Sequence, residues 1–310
     1  MLRSQFFDDS SVEADATSIL LLDRLSFGER VFLSFGGRYK WFDATSKLAF
    51  LPAGLPFPDS DDESDEGTFN PSAGLLVKPL PNLSLYASYA ESTFSFQNID
   101  QRTVTGEPLD PERSRQYELG VKAELFDGQV FATTSLFQIE KSDVAGADPA
   151  NRLFFVNRGK ERSRGIEFDV AGEPLPGWHL TANYAFIDAE ITDDPNGVTT
   201  GNRIGGVPEH SGGLFTTYEF QGGPLKGFGG GGGIFVSDRV QADDFGTAEL
   251  PGWEQADAVL FYRGKHWTAQ PNVKNLLDEE FFYAGGGESE FSEVQRAPAR
   301  TILGSLSFKF

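Results

Sequence analysis

The 310-residue sequence predicts an all-β fold, an antiparallel meander of long strands that are apolar on one face and polar on the other. Apolar side chains recur at every second position in segment after segment, which is the period of a β-strand. No window combines the 3.6-residue period of an amphipathic helix with capping residues. The composition agrees, because 35 Gly and 29 Phe accompany a hydrophobic share of 39%. Many long strands that are each wet on one side would have this composition.

Five segments show the alternation most clearly. In 31–41 the odd positions hold Val, Leu, Phe, Gly, Tyr and Trp, while Ser, Gly, Arg and Lys occupy most of the even ones. The same alternation recurs in 117–125, 166–170, 178–186 and 302–310. In chain order, strands are predicted at 17–27, 29–42, 67–78, 82–96, 113–126, 128–144, 152–172, 177–192, 207–221, 226–242, 253–263, 265–276 and 300–310.

The connections between these strands alternate between short and long. Tight turns are predicted at 28–29, 79–82, 127–128, 172–177 and 264–265, and long polar loops near 43–66, 97–111, 193–206, 244–252 and 277–298. A soluble β-sandwich also alternates in polarity, but globular strands typically have about 5–6 residues. Strands of roughly ten residues, with short turns at one rim and long loops at the other, are typical of a transmembrane outer-membrane β-barrel.

The strand count indicates a partial barrel, about 13 strands of a larger one. Bacterial outer-membrane barrels have an even number of strands, and 13 is odd. Residues Arg3 to Phe7 look like the tail of one more strand. No apolar segment or small-residue cleavage site follows Met1, so no signal peptide is visible. We therefore expect the true N-terminus to lie upstream of this sequence.

Charge and the rare residue types exclude several functions. The 26 Lys and Arg against 46 Asp and Glu give a net charge of −20, whereas nucleic acid is held by clustered cations. The absence of Cys excludes disulfides and thiolate sites, and three scattered His leave no multi-His metal site. No nucleophile elbow, zinc-protease motif or P-loop is present, so we expect no enzyme. Gly227–Gly232 matches G-x-G-x-x-G, but Ile234–Val236 continues a strand where a dinucleotide site requires a helix.

The acidic run Asp59–Glu66 is predicted to be a loop tip. Clustered carboxylates suit Ca²⁺, but the calcium-loop pattern requires Gly at the sixth position and Glu at the twelfth, where this sequence has Ser64 and Asn70. A solvated loop is the favoured interpretation, and loose Ca²⁺ binding is the alternative. No other metal or cofactor is expected.

Strand parity assigns a role to five aromatic side chains on the apolar face. Trp41 and Tyr89 lie near the long-loop rim, and Trp178, Trp267 and Phe308 lie near the short-turn rim. Trp and Tyr are enriched at both membrane–water interfaces because their rings are apolar and their edges form hydrogen bonds. We interpret these five residues as membrane-interface aromatics.

Three further aromatic residues have the opposite parity and are predicted to point into the barrel. They are Tyr86, Phe94 and Phe96, of which the last two lie at the long-loop end. Rings above the lumen would be placed to stack on a planar ligand. Packing of the same rings against neighbouring loops is the alternative, and it is the favoured one.

Seven segments in order along almost the whole chain resemble the barrel of TonB-dependent siderophore receptors. They are Leu109–Gly128, Phe137–Val144, Asn157–Glu167 (close to the recurrent GxxRSRGxE), Val207–His210, Leu250–Trp253 with Asp257 following, Asn272–Asp278 and the terminal Phe310. The resemblance implies a 22-stranded barrel plugged by an N-terminal domain. Measured against that pattern, residues 1–310 are expected to be the C-terminal part of the barrel, without the plug domain and the first strands.

The same resemblance implies a function. A receptor of this family takes up ferric siderophores through the outer membrane of a Gram-negative-type bacterium, and it carries the intact chelate without ligating iron. The implied partners are outer-membrane lipid, the ferric siderophore, the TonB–ExbB–ExbD complex acting through the plug, and the barrel assembly machinery, for which Phe310 would be the handle. Another TonB-dependent cargo, such as cobalamin or a saccharide, is an alternative, and so is a non-transporting structural barrel or pore remnant.

Overall fold

The structure, a computed structural model, describes residues 7–50, 60–94, 103–105, 109–148, 150–151, 154–194, 197–284 and 294–309. Strands account for nearly all of its regular structure. They are β1 (Phe7–Phe27), β2 (Val31–Phe50), β3 (Ser60–Leu80), β4 (Leu83–Phe94), β5 (Glu112–Leu125), β6 (Val130–Ala147), β7 (Phe155–Leu175), β8 (Trp178–Asp193), β9 (His210–Glu219), β10 (Phe228–Ser237), β11 (Val240–Gln241), β12 (Glu249–Leu250), β13 (Trp253–Arg263), β14 (Trp267–Lys274), β15 (Phe282–Ala284), β16 (Val294–Arg296) and β17 (Thr301–Phe308). One 3₁₀ turn, Gly223–Leu225, joins β9 to β10.

Thirteen strands form one antiparallel sheet in the order β1 to β10, then β13, β14 and β17. Each predicted strand overlaps one strand of this sheet, so the predicted all-β meander is confirmed. The sheet is open, because β1 and β17 are its two edges. Within the described residues, no helix is long and apolar enough to cross a bilayer.

The first three strands are longer than predicted. The expected loop at 43–66 is largely strand, because β2 runs to Phe50 and β3 begins at Ser60. The backbone pairing continues through polar sequence, with Asp43 opposite both Asp15 and Asp65. Ladder hydrogen bonds join main-chain groups, so pairing persists where the alternation of side-chain polarity fades. The acidic run is therefore not a loop tip from residue 60 onward, and Asp59 lies outside the described residues.

Other predicted boundaries also change. Phe7 belongs to β1 itself and not to a further strand, and residues 3–6 lie outside the described part. The predicted strand 226–242 ends at Ser237. Two small hairpins, β11–β12 and β15–β16, occupy parts of the predicted outer loops. Pairs of two or three residues are too short to show a period in the sequence.

The short turns follow the chemistry of their residues. In the turn from Phe126 to Gln129, Asp127 has φ 54° and Gly128 has φ 83°, and the N–H of Gln129 donates to the carbonyl of Phe126 over 3.1 Å. Phe126 has φ 51° as well, so three successive residues are left-handed, and Asp and Gly are residue types that tolerate this conformation. The predicted tight turn is confirmed.

The glycine run forms the central part of β10, as the sequence predicts. At Gly231 a Cβ would lie 1.9 Å from the carbonyl oxygen of Thr216 on β9, and at Gly229 it would lie 2.3 Å from the ring of Phe261 on β13. The neighbouring strands on both sides therefore leave no room for a Cβ at these two positions of β10. The run continues as extended backbone, so it does not form the loop-to-helix turn of a dinucleotide site.

The buried residues lie mainly at the long-loop end of the sheet. Ile191, Thr199 and Asn275 are the large side chains with less than 2% exposure, and all three are in or beside outer loops. The apolar face of the wall, by contrast, is exposed: Leu21 (74%) and Ile302 (74%) are examples. A sheet with a large exposed apolar face is suited to contact with lipid.

Candidate functional site

Cross-strand register divides every strand of the sheet into two faces. Residues that oppose each other in an antiparallel pair point to the same side. Trp41 pairs with Gly67, and Tyr89 pairs with Ala73 and with Tyr117, which places these residues on one side. We call this side the outward face, because it carries the exposed apolar residues. Tyr86 and its partner Gly120 lie on the opposite side, the inward face.

Two aromatic bands cross the outward face. The lower band, at the short turns, consists of Trp178, Tyr218, Phe228, Tyr262, Trp267 and Phe308, which are linked by pairs such as Trp178–Tyr218 and Trp267–Phe308. The Phe228 and Tyr262 ring centroids are 4.5 Å apart, and those of Tyr262 and Trp267 are 4.9 Å apart. The upper band consists of Tyr39, Trp41, Tyr89 and Tyr117.

The five residues predicted as interface aromatics all lie in these bands. Trp41, Trp178, Trp267 and Phe308 are between 37% and 62% exposed, and Tyr89 is half-buried beside Tyr117 at 5.2 Å. From Val31 at the short-turn end to Trp41 there are ten residues, about 25 Å of height for a strand tilted by about 40°. This height matches the apolar band of an outer-membrane barrel, about 25 Å. Contact of these rings with a bilayer remains a prediction.

The inward face is polar and internally hydrogen-bonded. The hydroxyl of Tyr86 donates to Glu118, whose second carboxylate oxygen accepts from Gln116 over 3.0 Å. The Tyr86 ring lies across Gly120, where a Cβ would be 2.4 Å from it, and the Lys122 ammonium is 4.8 Å from the ring centroid. The ring and the hydroxyl of Tyr86 therefore already have partners in the wall.

The three residues proposed as ligand contacts have different placements. Phe94 ends β4 on the inward face and is 49% exposed at the long-loop rim. Tyr86 lies deeper, within the wall. Phe96 lies outside the described residues. Only Phe94 is thus described as an exposed inward ring at the outer end.

Two outer loops are joined by buried polar groups. One carboxylate oxygen of Asp194 accepts hydrogen bonds from the N–H groups of Val198 and Thr199 and from the Thr199 hydroxyl, at 2.9–3.1 Å. Asp244 accepts from the N–H of Gly205 over 2.8 Å, so the loop after β8 is tied to the loop after β10. These contacts join the two loops into one platform at the long-loop end of the sheet.

Asp243 is held in its ionised form within this platform. Burial of the carboxyl group raises its pKa, but the hydrogen bonds from Thr247, Phe245 and Gly246 outweigh burial, so the pKa is lower than usual. The Thr247 hydroxyl and its backbone N–H both donate to this carboxylate. Asp243 is not among the residues that the sequence predicts as functional.

Asn275 fixes the base of the last outer loop. Its side-chain amide donates to the carbonyls of Glu279 (2.8 Å) and Pro298 (3.3 Å), and its side-chain oxygen accepts from the N–H of Glu279 (2.9 Å). Its own N–H donates to Asp257 over 2.9 Å. The matched segment Asn272–Asp278 contains this residue, although its role could not be read from the segment.

An aromatic stack lies beside that base. The ring of Trp253 is stacked on Phe281 with centroids 4.7 Å apart, and Tyr283 meets both rings edge-on. Phe281 is 4% exposed. The stack therefore anchors the loop onto the inward side of β13.

A ladder of charges, here called the rim ladder, crosses β4 to β8 on the outward face just beyond the upper aromatic band. Its lower rung is Glu91, Arg115, Glu140, Arg162 and Glu190, and its upper rung is Thr93, Arg113, Ser142, Lys160 and Asp193. Arg115 pairs with Glu91 at 3.3 Å, and Arg162 pairs with Glu190. Sequence reasoning missed this ladder, although Arg113 and Arg115 share the parity of Tyr117.

The described residues were compared with the requirements of a metal site. Among the residues that the structure covers, no group of three or more His, Asp or Glu side chains is placed to hold a metal ion. Most side chains of the acidic run Asp59–Glu66 lie outside the described part of the chain, so loose Ca²⁺ binding remains a prediction.

Comparison with known proteins gives one consistent result. Residues 3–276 match the family model described as TonB dependent receptor-like, beta-barrel. The chain is 30% identical over 307 residues to the metal-pseudopaline receptor CntO of Pseudomonas aeruginosa, which covers 98% of this chain and 42% of the relative. The chain thus spans less than half the length of this relative.

Solved structures share the fold. The siderophore receptor PiuA from Acinetobacter baumannii superposes with a TM-score of 0.80 and 26% identity, over 97% of this chain and 44% of that one. BauA, the ferric preacinetobactin receptor from the same species, gives a TM-score of 0.76 and 25% identity over 97% and 44%.

Proposed function

Because the chain belongs to the TonB-dependent receptor family, we propose that it forms the C-terminal wall of an outer-membrane β-barrel that takes up ferric siderophores. The observation that carries the proposal is the division of the 13-stranded sheet into an outward face with two aromatic bands and a polar inward face. A wall of this kind separates lipid from an aqueous lumen. The resemblance to receptors whose names specify siderophores or metal chelates supplies the cargo class.

A plug domain is part of the proposal. The polar inward wall would meet it, and Glu118 and Glu167 would offer it carboxylates in the middle of the strands. Neither carboxylate forms a salt bridge with a cation in the described part of the chain. Cationic groups of a plug would fit this wall by charge, and the TonB complex would act on the plug.

The chelate would be captured at the outer loops. Phe94 is the inward ring that the described structure leaves open there, so it is the favoured ligand contact of the three predicted residues. Tyr86 is disfavoured because its ring covers Gly120 and its hydroxyl is bonded to Glu118. No residue is required to ligate iron, since the chelate would pass through intact.

Uptake of radioactive iron tests the function. A strain from which the gene is deleted should lose accumulation of ⁵⁵Fe supplied on at least one siderophore of a panel, and the restored gene should return it. The uptake should stop when a protonophore removes the energy that drives TonB. Normal uptake of every panel chelate by the deletion strain would contradict the cargo class, and binding of cobalamin or a saccharide would favour the alternative cargo.

A matched pair of variants tests the ligand contact. Phe94→Ala should weaken binding of that chelate to the purified receptor by about 2- to 10-fold, because stacking of two aromatic rings contributes roughly 0.5–1.5 kcal/mol. Phe131→Ala is the control, since Phe131 also points inward and is 55% exposed but lies at the short-turn end. Equal binding by both variants would remove Phe94 from the site.

A further inference from the structure

The rim ladder encloses a cleft that the proposed transport function does not use. The cleft has a volume of about 760 Å³ and is lined mainly by outward-facing residues of β3 to β7. Its charged lining comprises five cations and three carboxylates: Arg113, Arg115, Lys141, Lys160 and Arg162 against Glu91, Glu140 and Glu161. A positive lining is unusual in a chain with a net charge of −20.

The upper rung leaves two cations open to a ligand. Among the described residues, neither Arg113 nor Lys160 has a carboxylate within 4.0 Å, whereas Arg115 and Arg162 are paired with glutamates. In the register, Arg113 lies between Thr93 and Ser142, and Lys160 lies on the other side of Ser142. The hydroxyls of Thr93 and Ser142 already donate to Asn70 (2.9 Å) and Asp143 (3.1 Å), so the hydrogen bonds to an anion would come from the two cations.

Two further carboxylates are close to this rung. Asp143 accepts the Ser142 hydroxyl over 3.1 Å, and Asp193 is opposite Lys160 in the register. Neither lines the cleft. Lys141 is paired with Glu112 at 3.1 Å and points to the inward face. The open cations of the cleft are therefore Arg113 and Lys160.

The height of the rung indicates what it meets. Arg115 is two residues and Arg113 four residues beyond Tyr117, which is about 7 Å and 13 Å along the strand. If the upper aromatic band lies at the membrane interface, these cations lie at the level of the lipid headgroups, just outside the hydrocarbon. They point away from the lumen, so a chelate inside the barrel would not reach them.

We propose that the cleft binds the phosphate groups of an anionic glycolipid headgroup in the outer leaflet, with Arg113 and Lys160 as the principal contacts. The guanidinium fork of Arg113 suits two phosphate oxygens at once, and the Lys160 ammonium acts as a point charge. The inference rests on the proposed outer-membrane location but not on the identity of the cargo.

The test uses the native receptor purified from outer membranes in non-ionic detergent. Bis-phosphorylated lipid A is titrated and bound lipid is counted by native mass spectrometry, with dephosphorylated lipid A as the apolar match. The variants are Arg113→Gln with Lys160→Gln, and Arg113→Lys alone. Arg239→Gln is the control, because Arg239 is an exposed cation at another outer loop, paired with Glu249.

The double variant should bind the phosphorylated lipid about 30-fold more weakly, since each cation near an anionic lipid contributes about 1 kcal/mol. The affinity of Arg113→Lys should lie between those of the native protein and the double variant, and Arg239→Gln should bind like the native protein. Added salt should weaken binding of the phosphorylated lipid. The double variant is folded if its β-sheet circular dichroism and its heat-modifiable migration on gels match those of the native receptor. If it is not folded, Arg113→Lys alone tests the proposal.

Three outcomes would overturn the proposal. The first is equal binding of the dephosphorylated lipid, and the second is unchanged affinity of the double variant. The third is complete displacement of lipid A by millimolar inorganic phosphate, which would indicate a site for a small anion only. A native protein that fractionates away from the outer membrane would refute the proposed function itself, which separates the two failures.

Discussion

Replacing Asn275 should loosen the base of the last outer loop. The residue is 1% exposed and has φ 52°, in the left-handed region that Asn tolerates better than most residues. Its side chain accepts one hydrogen bond and donates two, which join Glu279 and Pro298 to the end of β14. One side chain thus closes both ends of a loop of some twenty residues.

The magnitude follows from the groups that lose a partner. Asn275→Ala removes the acceptor of the part-buried Glu279 N–H, at a cost of about 0.5–1.5 kcal/mol. Alanine in a left-handed conformation adds roughly 1 kcal/mol. Two carbonyls also lose their donor, but water entering the vacated space would restore part of that loss. The local free energy of opening should therefore fall by about 2–4 kcal/mol.

Hydrogen exchange at the Glu279 amide measures this directly. A loss of 2–4 kcal/mol predicts exchange about 30- to 700-fold faster in Asn275→Ala than in the native receptor. Asn275→Gly removes the same hydrogen bonds without the backbone strain, so its effect should be about 1 kcal/mol smaller. Unchanged protection of this amide in both variants would refute the anchoring role, and equal effects would refute the strain component.

Three other predictions test the fold and the loop platform. Leu306→Arg, on the outward face, should lower stability in denaturant titrations more than Phe308→Arg at the short-turn end, because the cost falls from about 2–4 kcal/mol at the midplane to about 0–1 near the interface; the reverse order would contradict the assigned depth. Gly231→Ala should cost about 1–3 kcal/mol or more, since its Cβ meets a backbone carbonyl at 1.9 Å, whereas Gly222→Ala has nothing within 4 Å and should be near neutral. Asp243 has a lowered pKa in the folded state, so its contribution is present above the unfolded pKa of about 3.9 and is lost as the pH falls through the lower folded value. The stability advantage of the native loop over Asp243→Asn, from hydrogen exchange, should thus be full at pH 7 and should shrink below about pH 4; an advantage that stays constant would contradict it.

The wall could be predicted from the sequence because its physics is periodic. Alternation of polarity reports the two faces of a strand, and all thirteen strands followed from it. The prediction was wrong where polarity no longer alternates, as in 43–50 and 60–66, which still pair through their backbones. In that region the strands no longer need one apolar face, so the signal ends before the strands do.

The rim ladder was missed for a different reason. Arg113 and Arg115 share the parity of Tyr117, so the sequence did contain their outward direction. The other members of the Arg115 rung, Glu91, Glu140, Arg162 and Glu190, come from four other strands, and only the register brings them together. A charge on a strand therefore looks solvated until the neighbouring strands are aligned with it.

The outer loops show why the cargo is harder to predict than the wall. Asn275, Asp243 and Asp194 each hold a loop through contacts to main-chain groups close by in the sequence. Such contacts depend on the turn geometry of one loop and have no period. The stack of Trp253 on Phe281 likewise joins residues 28 positions apart without any repeat between them. Under the proposed function a chelate is recognised by these same loops, so its identity is encoded in local contacts of this kind and not in the alternation that encodes the wall.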